Sequence, residues 1–450
     1  MSRVVPTKLS NYSAAPVGVS NKNLEISYAS ILPSNSTSAT TYTPSGTKRI
    51  LFKIPSYANT FMDTARSTIS FQYKSLKGAS DTAGNGCILD PRLGTTCIFE
   101  RMTVKTSEGL VIEDISNLDT LNKVLLSMSS ASETRQAEGI FDGNNFMSYE
   151  LATAQLSPLL ARQKEGVTYQ YKFKTGVFSQ NLKSFLPLHS GNGGGAGVFL
   201  SVELYLNKAI HVLQKVGTGS TDPDYEISDV RFNMCLLKAD QSIVSRVQNL
   251  GNEIVIPITT YRVYTNSISA KQSTLQIAES CADLRRTHTV ILNDDDDSVP
   301  TTTGSSSRKF RGGFSDTVRS VRSYQLQVGS KFIFNEALTC NTDNNMLMQQ
   351  VIHAAFDNNI RAARLKEDTA VPQFEDEFFT LTTTFCYDDP DKYTNGISLG
   401  SQPLILKLEL DKTPQADDQV FTFSELGYDM VFNDGRISLR DRKDITDYGY

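Results

Sequence analysis

Two stretches of the chain run through the same succession of elements, and that repetition limits the fold more than any single motif. In the first, residues 97 to 114 read as a hairpin, with Ile98, Met102 and Val104 on one arm and Leu110 and Ile112 on the other. Ser107-Glu108-Gly109 supplies the bend. A helix is predicted next, because Leu118, Leu121, Val124, Leu125 and Met128 form a single apolar stripe. Tyr169, Tyr171 and Phe173 then alternate with Gln170, Lys172 and Lys174, and residues 199 to 206 (FLSVELYL) close the half as a buried strand. In the second stretch, residues 318 to 334 bend at Gly329-Ser330-Lys331. A helix striped by Met348, Val351, Ile352, Ala355 and Phe356 follows, then alternation over 378 to 387, then Leu404, Leu406, Leu408 and Leu410. Any two β domains share similar strand spacing; the shared order of hairpin, helix, strand and closing strand is what favours a duplicated domain.

Between the two stretches lies the seam. Residues 225 to 238 (YEISDVRFNMCLLK) read as a strand, and residues 253 to 264 (EIVIPITTYRVY) as another. One short helix is predicted between them, capped by Asp240, striped by Ile243, Val244, Val247 and Leu250, and ended by Gly251. Strand, brief helix, strand is how a β domain begins again. The expected division is therefore a flexible N-terminal arm over 1–45, a first β domain over 46–222, a second over 223–439, and a C-terminal tail over 440–450. The arm is rich in Ser, Thr, Asn and Pro and lacks the apolar surface to offset its own ordering. Residues 50 to 54, stopped by Pro55, open the first domain; residues 130 to 165 are a polar, turn-rich excursion; Asn433-Asp434-Gly435 marks a late two-residue hairpin.

Chemistry finds little to stand on. The 44 basic and 49 acidic side chains nearly balance, so the chain lacks the positive field of a protein that wraps nucleic acid, and no specific nucleic-acid recognition is expected. Cys87, Cys97, Cys235, Cys281, Cys340 and Cys386 show no CxxC spacing and read as reduced, buried side chains of a cytosolic or nuclear protein. Neither a signal peptide nor a membrane span is expected, and the sequons at Asn11 and Asn35 read as chance matches. His189, His211, His288 and His353 have no partner at metal-ligand spacing. Gly191 to Gly197 precedes a strand rather than a helix, so it reads as a flexible loop and not a phosphate cradle. Asp294 to Asp297 reads as a solvated acidic loop, and Arg308, Lys309 and Arg311 around Phe310 as a surface cluster that offsets it. The expected catalytic, cofactor-binding and metal-binding residues are none.

The seam and the second hairpin resemble the major capsid proteins of double-jelly-roll DNA viruses, most closely those of polinton-like viruses and virophages. The residues that carry the resemblance are Tyr225-Glu-Ile-Ser-Asp-Val, the short helix, Ile256-Pro257-Ile-Thr-Thr-Tyr261, and Tyr324-Gln-Leu-Gln-Val-Gly329-Ser330-Lys331, in the family's order over about two-thirds of the chain. The resemblance implies an all-β fold of two consecutive eight-stranded jelly rolls with short helices in the inter-strand loops. It implies a structural role: homotrimers forming pseudo-hexagonal capsomers that tile an icosahedral shell. The implied partners are neighbouring capsomers, penton and minor capsid proteins and, where the virion has one, an internal membrane; assembly would take place in the host cytoplasm or nucleus. A carbohydrate- or receptor-binding β-sandwich, spike or lectin-like, is the alternative, against which the absence of Trp counts.

Overall fold

A computed structural model describes residues 24–35, 41–76, 86–129 except 92, 141–143, 153–188 except 181 and 183, 200–216, 224–240, 254–293, 310, 320–340, 379–433 except 387, 390–391 and 394–395, and 436–441. The first half supplies β1 (Leu24–Ile31), β2 (Arg49–Ile54), β3 (Thr60–Ser75), β4 (Phe99–Thr106), β5 (Val111–Ser116), β6 (Val167–Tyr171), β7 (Leu200–Leu206) and β8 (Tyr225–Ala239). The second supplies β9 (Ile254–Ser267), β10 (Gln272–Ile277), β11 (Leu284–Asn293), β12 (Val321–Val328), β13 (Lys331–Phe332), β14 (Leu381–Thr384), β15 (Leu404–Leu410) and β16 (Asp418–Asn433). The antiparallel sheets run β1-β8-β3-β6 and β2-β7-β4-β5, then β9-β16-β11-β14 and β10-β15-β12-β13. The remaining two-residue strands, the separate pair Gly86–Leu89 with Leu213–Val216, and Arg436–Asp441 lie outside this scheme; counting the eight main strands of each half in order, both halves read 1-8-3-6 and 2-7-4-5. That winding is a jelly roll made twice.

Alternating side chains place the layers. Ile50, Phe52 and Ile54 of β2 point inward between exposed or half-buried neighbours, and Leu404, Leu406, Leu408 and Leu410 of β15 alternate with half-buried Ile405, Lys407 and Glu409. Gly109 and Gly329 turn the equivalent hairpins, β4–β5 and β12–β13, at φ +89° and +55°, where a side chain would be strained. Both bends fall where the sequence places them. Pro257 sits in β9, an outer strand, where its missing N–H leaves no rung of a central ladder empty. The helix expected after the first hairpin is α1 (Leu118–Ser129), whose Leu118, Leu121, Val124 and Leu125 are buried.

Four expectations change. Residues 223–239 do not open the second domain: β8 pairs with β1 and with β3, running from Tyr225↔Ser75 to Leu24↔Ala239, so it closes the first jelly roll and the second begins with β9. The N-terminal arm is not wholly an arm, because Leu24–Ile31 forms an unbroken ladder with Phe232–Ala239, and Thr41–Tyr42 pairs with Ile227–Ser228. The amide of Asn35 donates to the Arg49 carbonyl at 2.7 Å and its oxygen accepts from the Leu51 N–H at 3.0 Å, fixing the approach to β2. A main-chain ladder needs no apolar composition, which is why a Ser- and Asn-rich segment hides it. The excursion over 130–165 contains α2 (Thr153–Glu165), ended by Gly166, whose N–H bonds to the Arg162 carbonyl. The tail begins later than expected, since Arg436–Asp441 forms β17 against β16. The helices predicted at the seam and at 348–356 lie outside the described residues.

The buried apolar core is continuous from the first half into the second. One aromatic hub in it is Phe232 on β8, whose ring centroid lies 5.7 Å from Phe52, 5.8 Å from Phe173 and 5.8 Å from Phe178. These rings link β8 to the opposite sheet through β2, with edge and tilted geometries that aromatic quadrupoles favour. Phe232→Ala is expected to cost roughly 3–5 kcal/mol of unfolding free energy, read as a drop in the denaturant midpoint at unchanged slope.

Candidate functional site

The candidate chemical residues do not converge. His288 on β11 is buried, with Nδ1 3.1 Å from the Thr382 hydroxyl, and burial pushes its pKa down to about 4, so the ring is neutral and structural. His211 is half-buried with Nδ1 3.3 Å from Asn207 Oδ1. His189, His353, Gly191 to Gly197, Asp294 to Asp297, Arg308, Lys309 and Arg311 lie outside the described residues. Phe310 is described and is buried, not part of an open surface loop, with the Lys123 ammonium of α1 4.7 Å from its ring centroid. The described cysteines are buried and unbridged, and desolvation pushes the thiols of Cys281 and Cys340 up to about 12, far from nucleophilic. Among the described residues, no group of three or more His, Cys, Asp and Glu side chains could hold a metal ion.

One buried polar row does look like an active site at first sight. Tyr261 on β9, Glu425 on β16 and Arg286 on β11 stand opposite one another across three neighbouring strands. Arg286 Nη1 lies 3.0 Å and 3.1 Å from the two Glu425 oxygens, and the Tyr261 hydroxyl donates to Oε2 at 3.0 Å. Arg285 Nε lies 3.8 Å from the same carboxylate and its Nη1 3.6 Å from Asp283. Burial alone would raise the Glu425 carboxyl; the two guanidinium groups outweigh it and hold the group below its usual range. Every member is at most 4% exposed, so no substrate reaches the row. It cross-ties three strands of the second jelly roll. Sequence reasoning missed it because its members are scattered from 261 to 425.

The two halves meet where two outer strands run against each other, β5 of the first and β9 of the second. Gly176 donates its N–H to the Thr259 carbonyl at 3.2 Å. Beside it, Glu113 of β5 is buried; its Oε2 accepts from the Val177 N–H at 2.9 Å, the Thr260 hydroxyl of β9 donates to the same carboxyl, and Oε1 has no hydrogen-bond partner. Gly176 has φ +74°, and a Cβ there would collide with the Glu113 carboxyl. Desolvation raises Glu113 from 4.5 to about 7, against the pull of the Val177 and Thr260 hydrogen bonds. One carboxyl, one glycine and two backbone groups thus fix the joint.

On the described surface, large apolar side chains are exposed at Ile26, Tyr28, Leu32, Leu110, Val111, Phe141 and Phe332. Three of them belong to β1 and the residue after it. The signal in the sequence is the alternation of Leu24, Ile26 and Tyr28 with Glu25 and Ser27, which the Ser- and Asn-rich surroundings conceal.

No family model and no curated protein matches the sequence. Solved structures match in shape. The chain is similar to a chain of the Sputnik virophage structure, with a TM-score of 0.60 at 9% identity, covering 94% of this chain and 90% of that one. It is similar to VP54 of PBCV-1 fitted into a reconstruction of Sputnik, with a TM-score of 0.58 at 8% identity, covering 95% and 99%. The Faustovirus major capsid protein gives 0.56 at 8%, covering 91% of each chain. The fold is a double jelly roll. At these identities the likeness is one of architecture, and the coverage shows that it takes in both jelly rolls rather than one.

The joint of the double jelly roll has a pH signature. Because the folded pKa of Glu113 lies above its unfolded value, the native state binds the extra proton, and stability falls as pH rises from about 4.5 through 7. Glu113→Gln, which keeps the shape and removes the charge, is expected to flatten that slope. The same variant is expected to gain up to roughly 3 kcal/mol at pH 8, measured as unfolding free energy at several pH values. Gly176→Ala is expected to destabilise throughout.

Proposed function

We propose that this double jelly roll is a viral major capsid protein, a structural and not a catalytic chain. Three copies form a pseudo-hexagonal capsomer, and capsomers tile an icosahedral shell. The observation that carries the reading is that the eight main strands of each half take the order 1-8-3-6 and 2-7-4-5, twice in one chain over a continuous core. Two like barrels over one continuous core, repeated about a threefold axis, present six similar corners, which suits the hexagonal positions of a shell. Cohesion between copies then comes from many modest contacts summed over the shell, so no single side chain carries assembly. The virion is the expected location, with the host cytoplasm or nucleus as the place of assembly. Neighbouring capsomers, penton and minor capsid proteins are the expected partners. Among the described residues no helix is long and apolar enough to cross a membrane.

Size-exclusion chromatography with light scattering on the purified chain tests the first step, with a particle near three times 49.7 kDa expected. Negative-stain images of the concentrated protein are expected to show hexagonal arrays or closed shells. A strict monomer that binds glycans would replace this reading with the sandwich-lectin alternative.

A further inference from the structure

We propose that β1 is a docking edge for β1 of a second copy, the two strands pairing antiparallel about a twofold axis through Ser27. The first observation is backbone. β1 is the outermost strand of its sheet and, among the described residues, its main chain bonds only to β8. The other edge offers a row of N–H and C=O groups that an extended partner completes. Outer strands normally carry a proline, a lysine or a bulge that discourages such pairing. β2 carries Arg49 and Lys53, β9 carries Pro257 and Arg262, and β13 carries Lys331. β1 has eight residues, none of them Pro, Lys or Arg, and its ladder has no bulge; no described outer strand without those residues is as long.

The second observation is the side chains. Ala29 and Ile31 pack against the core, whereas Ile26 is 57% exposed, Tyr28 73% and Leu32 59%. No other described strand exposes two large apolar side chains at i and i+2. A partner that covers them must itself be extended and expose apolar side chains at alternate positions, and among the described outer strands only β1 does so; the alternating apolar positions of β6 and β9 are buried or half-buried. β2 would bring charges, and β10 would bring Gln272, Thr274 and Gln276.

Self-pairing also satisfies register. Antiparallel partners point to the same face, so a twofold that preserves the sheet pairs residues whose numbers share parity. With Ser27 on the axis, Ile26 stands across from Tyr28 of the second copy and Tyr28 across from its Ile26, a four-membered apolar cluster. Glu25, the only charge in the strand, meets Ala29 of the second copy rather than another carboxylate. A shift of the axis to Tyr28 would face Ile26 with Ser30 and break the cluster.

This inference deepens the capsid reading, since it names a contact between neighbouring chains in a shell. Ser27→Cys tests it in the full-length protein. Directly opposed residues have Cα atoms about 4.5 or 5.5 Å apart, both within disulfide reach, and the native cysteines are buried, so the unmodified chain is a clean control. Under mild oxidation of concentrated or assembled protein, Ser27→Cys is expected to run mainly as a covalent dimer on a non-reducing gel. Ser30→Cys, whose counterpart is Leu24, is expected to stay monomeric, and adding Ile26→Lys and Tyr28→Lys to Ser27→Cys is expected to reduce the dimer at least tenfold. Shells or trimers that form while Ser27→Cys stays monomeric would overturn the edge pairing and leave the capsid reading standing. Equal cross-linking by Ser30→Cys would overturn the register. A covalent Ser27→Cys dimer from protein that forms neither trimers nor shells would support the edge while removing the capsid reading.

Discussion

Each barrel is held shut by the eighth of its main strands. β8 inserts between β1 and β3, and β16 inserts between β9 and β11, so the sheet that begins each half cannot be completed until that half has been made in full. The pairing of Leu24 with Ala239 joins the described N-terminal end of the first half to its C-terminal end. Contacts of such long sequence separation must repay a large loop-closure entropy before they stabilise anything, which makes this topology slow to form and strongly cooperative once formed. The cluster of Phe52, Phe173, Phe178 and Phe232 is the apolar counterpart of that ladder, since it binds the inserted strand to the facing sheet.

The polar groups that fold inward serve the same end in two ways. Tyr261, Arg286 and Glu425 satisfy one another across three strands, and breaking such a buried set by removing one partner costs far more than the set contributes in place. Glu113 is the opposite case, a carboxyl with one oxygen unpartnered at the meeting of β5 and β9, whose charge is unfavourable there near neutral pH. The first ties a single jelly roll; the second lies on the boundary between two, with Gly176 leaving room for it.

Much of each jelly roll between its first and its closing strand was legible in order along the chain. The hairpins at Gly109 and Gly329 rest on a backbone conformation that glycine alone adopts freely, the strand at 200–206 on its mostly apolar, buried run, the strand at 404–410 on strict alternation, and the helix at 118–129 on one apolar stripe. What misled was the ends of each domain. β8 and β9 both read as strands, yet nothing within residues 225–239 says that the partners of β8 lie at 24–31 and 60–75 rather than downstream. Of the candidate chemical residues, His288 and Phe310 proved buried and structural, and the polar row at Glu425 gave no local signal because each member comes from a different strand.

By itself the sequence determined an all-β chain, its repeated order of elements and the turns that punctuate it, since these depend on side-chain period and local backbone preference. Only the tertiary structure decided where the first barrel ends, that Leu24–Ile31 is a strand, and which polar groups share a burial site. The physical reason is that a strand's own residues specify its extended form and its buried face, whereas its neighbour is chosen by main-chain hydrogen bonds that every residue but proline offers alike.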